Sequence, residues 1–286
     1  MHSTSFGMVL ESLISSQLAE EKPYQMLIYS FLFTTVGIFL AWWVFASHAS
    51  IVMVFLTVSA LLPLMIRIIG FEKLKSEHYK GELSAHEKAI PFFIFMFLGM
   101  VLSFAIWYIV LPETITSQLY SVQSATIQQI TRSVSGGSVN YYFMSRILLN
   151  NLRVLGFAIL FSFLYGAGAI FILTWNASVV SVAIGNTFSN AYLNSKITGG
   201  LVATGFMHAF SVGLFRYMLH GIPEVLAYFI GGLAGGIISV GILKHEIGSS
   251  EFFETIYDAF SLVMLSVGVL FLAAFIEVAI SPLLTL

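Results

Sequence analysis

The chain has 286 residues, of which 58 % are hydrophobic and only 9 % carry a charge. Soluble domains carry about 25 % charged residues, and the mean hydropathy here is +0.93, so the composition predicts a protein that lies in the lipid bilayer. The formal net charge of −2 lacks the basic footprint of a nucleic-acid-binding protein, and we expect no nucleic-acid partner. Since cysteine is absent, disulfides, thiolate metal ligands and cysteine nucleophiles are excluded.

The N-terminal half is predicted to contain three membrane spans. Residues 1–22 mix apolar and polar side chains in an amphipathic pattern, which favours a helix lying on the membrane surface. Three apolar runs follow, at 24–46, 51–69 and 89–111, and we expect each of them to cross about 30 Å of hydrocarbon. The stretch 112–147 is rich in Ser, Thr and Gln, which predicts a loop with at most one short helix.

The C-terminal half contains further spans and one ambiguous region. Apolar runs at 148–174, 221–243 and 259–280 each predict a transmembrane helix. Residues 177–219 carry repeated Asn and Gly, and both two full spans and a re-entrant hairpin fit this pattern. The sequence therefore predicts an all-α, polytopic transmembrane helical bundle with six firm spans plus a helical or re-entrant hairpin.

Basic residues in short loops set the orientation of a membrane protein. Four lysines lie between residues 71 and 88, which predicts that this loop is cytoplasmic and that the chain is a multi-pass protein of the cell membrane. Both interpretations of 177–219 return the chain to the side on which that region begins. The resulting count of spans predicts one leaflet half for Asn176, His220, Glu224 and Glu277. It places Asn150 and Asn151 in the other half.

Glu224 and Glu277 are the two acidic residues that are embedded in apolar sequence. A buried carboxylate is costly, so such a group takes up a proton, pairs with a cation or binds a metal. His220 precedes Glu224 by one helical turn and lies on the same helix face. Three interpretations stay open. The residues form interhelical hydrogen bonds, a proton or ion relay, or a divalent metal site, for example for zinc, made by His220, Glu224 and Glu277.

Signatures of the common enzyme classes are missing from the sequence. It contains no His-Glu-x-x-His, no Gly-x-Ser-x-Gly and no glycine-rich phosphate loop with Lys. An intramembrane metalloprotease of the prenyl-protein-processing type would need paired glutamates on a helix, whereas Glu20-Glu21 precedes a proline at the membrane surface. The sequence therefore assigns no catalytic residue, and it favours a protein that is not an enzyme.

One group of motifs resembles a known membrane protein family. In chain order the motifs are Asn150-Asn151-Leu-Arg-Val, Gly166-x-Gly168, Trp175-Asn176, His220-Gly221-x-x-Glu224 and Ala273-Ala274-Phe-Ile-Glu277 with Ser281-Pro282. This combination resembles the stage II sporulation protein M family over about residues 146–283. The three-span region before it resembles the longer version in archaeal members. Many members carry a proline ahead of the His-Gly pair, whereas this chain has Leu219 there and Pro223 after it.

The resemblance implies a set of polar positions and a class of function. The characteristic positions are Asn150, Asn151, Asn176, His220, Gly221, Glu224 and Glu277. The bacterial namesake is a polytopic scaffold that works with cell-wall hydrolases during engulfment, so we expect a membrane scaffold or remodelling component. Two alternatives stay open: a proton- or ion-coupled carrier or channel that uses Glu224 and Glu277, and a membrane-embedded metal-dependent hydrolase.

The chain is expected to form one membrane domain with three segments. These are the amphipathic segment 1–22, the three-span region 23–145 and the core 146–286. The glycine pairs at 231–232 and 235–236 form a small-xxx-small face suited to helix packing, and they predict a homodimer. Besides the lipid bilayer and a second copy, the expected partners are other membrane proteins.

Overall fold

The computed structural model describes the backbone of residues 22–78, 89–134, 141–165, 169–198, 202–244 and 247–279. Its side chains are described for 22–65, 91–128, 144–163, 169–190, 219, 221–239, 241–242 and 247–279. The predicted amphipathic segment lies outside these residues, except for its last position. Within them the chain is helical and contains no strand, which confirms the all-α prediction.

The described helices are numbered in chain order. They are α1 (Gln25–Val44), a 3₁₀ turn (Ala46–His48), α2 (Ala49–His78), α3 (Ala89–Val110), α4 (Glu113–Leu119), α5 (Ser121–Val134), α6 (Tyr141–Tyr165), α7 (Ala169–Thr198), α8 (Val202–Lys244) and α9 (Ser250–Ala279).

Seven stretches of the described helices are long and apolar enough to cross a membrane. They are Gln25–Val44, Ala46–Met65, Pro91–Val110, Met144–Phe163, Ala169–Asn190, Gly221–Ser239 and Ser250–Ala279. Large apolar side chains cover the outer surface of the bundle, where Trp43 is 80 % exposed and Tyr257 is 71 % exposed. Such a surface is stable in lipid and unstable in water, so the protein is an integral, polytopic membrane protein.

The structure places a break between helices inside a predicted continuous span. The predicted span 148–174 is instead divided between two helices, because α6 ends at Tyr165 and α7 begins at Ala169. The backbone N–H of Ala169 donates a hydrogen bond to Ser162 Oγ (3.1 Å), which ties the start of α7 to α6. The sequence did not decide between two full spans and a re-entrant hairpin for residues 177–219. In the structure, the residues before 199 belong to α7 and the residues after 201 belong to the first part of α8.

Two segments outside the predicted spans contain helix. The stretch 112–147 contains α4, α5 and the first turns of α6, and α9 begins at Ser250 rather than at 259. The polar composition of α5 is compatible with a helix because one of its faces packs on the membrane helices. Tyr120, between α4 and α5, is fully buried and donates its hydroxyl hydrogen to the carbonyl of Phe104 (2.9 Å). Burial raises the pKa of Tyr120, so its hydroxyl stays protonated as a donor.

Ser50 and Gln123 form a buried polar contact that ties α5 to the start of α2. Ser50 Oγ donates to Gln123 Oε1 (2.6 Å), and Gln123 Nε2 donates to the carbonyl of Ser50 (3.1 Å). The backbone N–H of Val122 donates to Ser50 Oγ (3.1 Å). Both polar side chains are satisfied by this contact, which holds α5 against the helical bundle.

Ser50→Ala should lower the free energy of unfolding by about 1–3 kcal/mol, because it leaves Gln123 Oε1 buried without its donor. The measurement is a thermal or denaturant melt of the purified protein in detergent. Ser59→Ala is the matched control, since Ser59 is exposed and donates only to the Phe55 carbonyl of its own helix. Equal stability of the two variants would contradict the structural role of this contact.

Helices α1 and α3 cross closely in the N-terminal half. A Cβ at Gly99 would overlap the Ser30 hydroxyl and the carbonyl oxygen of Leu27, so only glycine allows this approach. Thr35 connects the same two helices, because its hydroxyl lies 3.0 Å from Ser103 Oγ and accepts a hydrogen bond from Trp107 Nε1 (3.1 Å).

Aromatic and polar contacts join the two halves of the chain. Phe93 of α3 stacks on Phe229 of α8 with ring centroids 3.6 Å apart. Ser181 of α7 donates to the Val101 carbonyl (2.9 Å), and Tyr108 donates to Asn186 Oδ1 (2.8 Å). The order of these contacts shows that α3 and α7 run in the same direction.

The glycines of α8 form an interface inside one chain. A Cβ at Gly231 would overlap Leu155 of α6, and a Cβ at Gly235 would overlap the carbonyl of Ile159. Helices α6 and α8 are therefore close and parallel. The homodimer predicted from these glycines stays a prediction, because the glycines pack within the chain itself.

Candidate functional site

Asn151 lies on the buried face of α6, within the candidate span Met144–Phe163. It shares this face with Leu155, Ala158 and Ser162, which are all buried and follow at helical spacing. Its side chain is only 5 % exposed, so its amide group needs a partner inside the protein. The amide nitrogen donates a hydrogen bond to Glu224 Oε1 at 2.5 Å.

Glu224 brings a carboxyl group from α8 to this contact. The residue follows Pro223, and α8 nevertheless continues as one helix from Val202 to Lys244. Because proline has no N–H, the helix lacks one backbone hydrogen bond beside Glu224. The side chain is partly buried. Its hydrogen bond to Asn151 joins α6 to α8 inside the apolar part of the bundle.

Glu277 and Tyr228 complete the surroundings of Glu224. Glu277, on α9, is partly buried and close enough to Glu224 for the two carboxyl groups to interact electrostatically. Tyr228 follows Glu224 by one turn of α8, is 1 % exposed, and interacts with both carboxyl groups. We call Asn151, Glu224, Tyr228 and Glu277 the Glu224 site. Three helices therefore contribute to it.

The charges of the Glu224 site are of one sign. The described groups that act on Glu224 are the Glu277 carboxyl and the Asn151 amide, and neither is a cation. Two carboxylates in a low-dielectric site repel each other, and such a pair is stable when it shares a proton or holds a cation. The site is therefore able to serve either as a hydrogen-bonded helix contact or as a proton or cation site.

The other predicted polar positions lie at different places. Asn150 is exposed and points away from the face that carries Asn151. The Asn176 amide donates to the carbonyl of Ile172 in its own helix (2.8 Å). Gly221 is buried, and a Cβ there would meet nothing within 4 Å.

The predicted metal site is not tested by the structure. His220 belongs to the α8 backbone, but its side chain lies outside the described residues. Among the side chains that are described, no group of three His, Cys, Asp or Glu is placed to hold a metal ion. The ligand set of His220, Glu224 and Glu277 stays a prediction, and with it the zinc-dependent hydrolase.

The predicted separation of Asn151 from Glu224 is wrong. The count of spans put them in opposite leaflet halves, whereas the hydrogen bond between them places both at one depth. The physical reason is the break after Tyr165. Among the described residues, two candidate spans follow Asn151 before Glu224, the rest of Met144–Phe163 and then Ala169–Asn190, where the prediction had one continuous span to residue 174.

Sequence reasoning missed Tyr228 as a neighbour of the two carboxyl groups. The available signal was its spacing, since residues i and i+4 share a helix face, as the sequence analysis used for His220 and Glu224. Tyrosine is common in apolar sequence, so Tyr228 was not selected as a candidate site residue. Its phenol is nevertheless the fully buried polar side chain of the Glu224 site.

The fold and the site together define a class of protein: a polytopic α-helical membrane protein with a polar site between its helices. The chain matches the family model Stage II sporulation protein M over residues 30–282, and it belongs to this family. The matched range includes the N-terminal spans as well as the C-terminal helices, and it confirms the resemblance found in the sequence. No curated protein and no solved structure matches the chain.

Proposed function

We propose that this protein is a scaffold or remodelling component of the cell membrane, in which the Glu224 site holds the transmembrane helices in one arrangement. The observation that carries the proposal is the hydrogen bond from Asn151 to Glu224, which joins α6 to α8. A scaffold presents a fixed surface to its partners. An interhelical hydrogen bond within apolar surroundings fixes the rotation and register of the two helices that present that surface.

The packing around the hydrogen bond supports a rigid arrangement. Gly231 and Gly235 bring α6 and α8 into close contact about two and three helical turns after Glu224. Helix α8 is continuous through Glu224, whereas the substrate sites of many transporters are formed by discontinuous helices. Both features favour a contact that stays closed over one that opens and closes.

A carrier or channel for protons or cations is the second candidate. The observation in its favour is the pair of carboxyl groups, Glu224 and Glu277, which interact inside the membrane and are both partly exposed. Ionisable residues within a membrane commonly mark ion pathways. The two candidates differ in what they require of residue 224: a helix contact needs an oxygen acceptor, whereas proton or cation transfer needs a carboxyl group.

Liposome flux separates these candidates. We expect protein-containing liposomes to be no more permeable to protons, Na⁺ or K⁺ than empty ones, and Glu224→Gln to change nothing. The readout is an entrapped pH-sensitive or cation-sensitive dye after a concentration jump. If the protein conducts ions and Glu224→Gln abolishes the flux, the carrier function is favoured over the scaffold function. Glu113→Gln changes an exposed acid of α4 and is the control, which should leave that flux intact.

A native gel of solubilised cell membranes tests the scaffold directly. We expect the wild-type chain to migrate in a complex larger than a homodimer, and Glu224→Leu to shift it towards smaller species, because the surface presented by α6 and α8 is no longer fixed. Migration as a single copy or a dimer in mild detergent would contradict the scaffold role.

A further inference from the structure

The outer face of α6 carries a stripe of exposed residues that the Glu224 site does not use. The stripe consists of Arg146, Asn150, Arg153, Phe157 and Leu160. Their spacing places them on one side of the helix, opposite the buried face of Asn151. Phe157 is 54 % exposed and Leu160 is 47 % exposed. We call these five residues the α6 outer stripe.

The α6 outer stripe changes character along the helix. Its first half carries two guanidinium groups and an amide, and its second half carries Phe157 and Leu160. Phe161, one turn after Phe157, extends the apolar half, since the two rings stack with centroids 6.3 Å apart. A face that is cationic at one end and aromatic at the other matches one lipid molecule, with its headgroup at the first half and its acyl chains along the second.

Arg153 is the residue of the stripe whose charge most needs an anionic partner. It lies within the candidate span Met144–Phe163 and is exposed on the outside of the bundle, where an unpaired charge is costly. Side chains on a helix lean towards its N-terminus, so the guanidinium reaches back towards Asn150 and Arg146 and towards the membrane surface. A phosphate there would accept paired hydrogen bonds from the guanidinium, as phosphates commonly do from arginine.

We propose that the α6 outer stripe binds an anionic phospholipid, with the phosphate at Asn150 and Arg153 and an acyl chain along Phe157 and Leu160. A second copy of the chain is the other occupant to consider. A twofold interface brings the same patch of each subunit together. A dimer centred on the stripe would therefore bring arginines close to arginines without an acidic residue of the stripe between them. Charge complementarity favours the lipid.

Native mass spectrometry of the full chain in detergent tests this proposal, with phosphatidylglycerol as the added lipid. We expect the wild-type chain to retain bound phosphatidylglycerol and Arg153→Gln to weaken its binding about tenfold, a change equivalent to one strong charge-assisted contact. Arg153→Lys keeps the charge but loses the paired geometry, so an intermediate loss is expected. Lys22→Gln removes an exposed cation that lies just before α1 and should leave binding unchanged.

Three results would overturn the proposal. The first is equal lipid binding by Arg153→Gln and Lys22→Gln in chains that both elute as folded protein. The second is binding of inorganic phosphate alone with the same dependence on Arg153, which would identify a free anion as the ligand. The third is efficient disulfide-linked dimer formation by Leu160→Cys in membranes, which would place a second copy on the stripe. The chain contains no other cysteine, so that crosslink has one origin.

The lipid proposal is independent of the proposed scaffold function. None of the tested positions belongs to the Glu224 site, and the readout is a bound lipid rather than a flux or a native complex. A chain that fails the scaffold test can still bind the lipid at the α6 outer stripe, and the reverse also holds.

Discussion

Gly235→Ala should lower the free energy of unfolding by about 1–3 kcal/mol, the usual cost of overpacking a well-packed interior. A Cβ at residue 235 would overlap the carbonyl oxygen of Ile159. Because that atom belongs to the backbone, no side-chain rotation relieves the overlap, and α8 has to move away from α6. The movement also loosens the contact between Gly231 and Leu155. Thermal or denaturant unfolding in detergent micelles, followed by circular dichroism, measures the change.

Gly156→Ala is the matched control for this prediction. Gly156 lies on the exposed side of α6, and a Cβ there would meet nothing within 4 Å. Alanine is favoured over glycine in a helix interior by about 0.8–1.0 kcal/mol, so this variant should be as stable as the wild type or more stable. If Gly235→Ala unfolds at the same denaturant concentration as Gly156→Ala, α6 and α8 are not in close contact at Gly235.

The class of fold was predictable from the sequence because hydropathy is a sum over many residues. The charged fraction of 9 % and the long apolar runs determine that the chain is helical and crosses a membrane. Single errors in a boundary do not change such a sum. Glu224 and Glu277 could be selected as candidate site residues for a related reason, since an acidic residue in an apolar run is rare.

The depth and partners of these residues were not predictable in the same way. The apolar run 148–174 contains no charged residue after Arg153, so hydropathy does not reveal that α6 ends at Tyr165 and α7 begins at Ala169. The glycines at 166 and 168 were the available signal, and they were interpreted as part of a family motif. One missed break inverts the side predicted for Glu224, which is why Asn151 was predicted to lie far from it.

The helical structure of the polar stretch after α3 depends on tertiary contacts that no local pattern shows. Ser50 and Gln123 are far apart in sequence, and each is an ordinary polar residue in its own segment. Their mutual hydrogen bonds exist only because α5 packs on the start of α2. The sequence therefore predicted a loop where tertiary packing stabilises a helix.

The hydrogen bond between Asn151 and Glu224 should give a measurable coupling energy in a double-mutant cycle. Asn151→Leu leaves Glu224 without its amide donor, and Glu224→Leu leaves the buried Asn151 amide without its acceptor. Each single variant should lose about 1–3 kcal/mol of unfolding free energy. The double variant removes both polar groups. Its loss of unfolding free energy should therefore be smaller than the sum of the losses of the two single variants. For membrane helices we expect a coupling of about 0.6–1.7 kcal/mol.

Asn150→Leu is the control for this cycle, because Asn150 is the exposed neighbour on the other side of α6. Combined with Glu224→Leu, it should give losses that add, as they do for residues without contact. Glu224→Gln completes the set. Its side-chain oxygen still accepts from Asn151, and its amide group carries no charge beside Glu277.

We therefore expect the stability of Glu224→Gln to stay within about 1 kcal/mol of the wild type, well above that of Glu224→Leu. This order distinguishes a helix contact from a site that needs a carboxyl group. If Glu224→Gln is as unstable as Glu224→Leu, the acceptor oxygen is not what residue 224 contributes to the fold. A bound cation or an ion pair of the carboxylate would then have to account for the stability of the site.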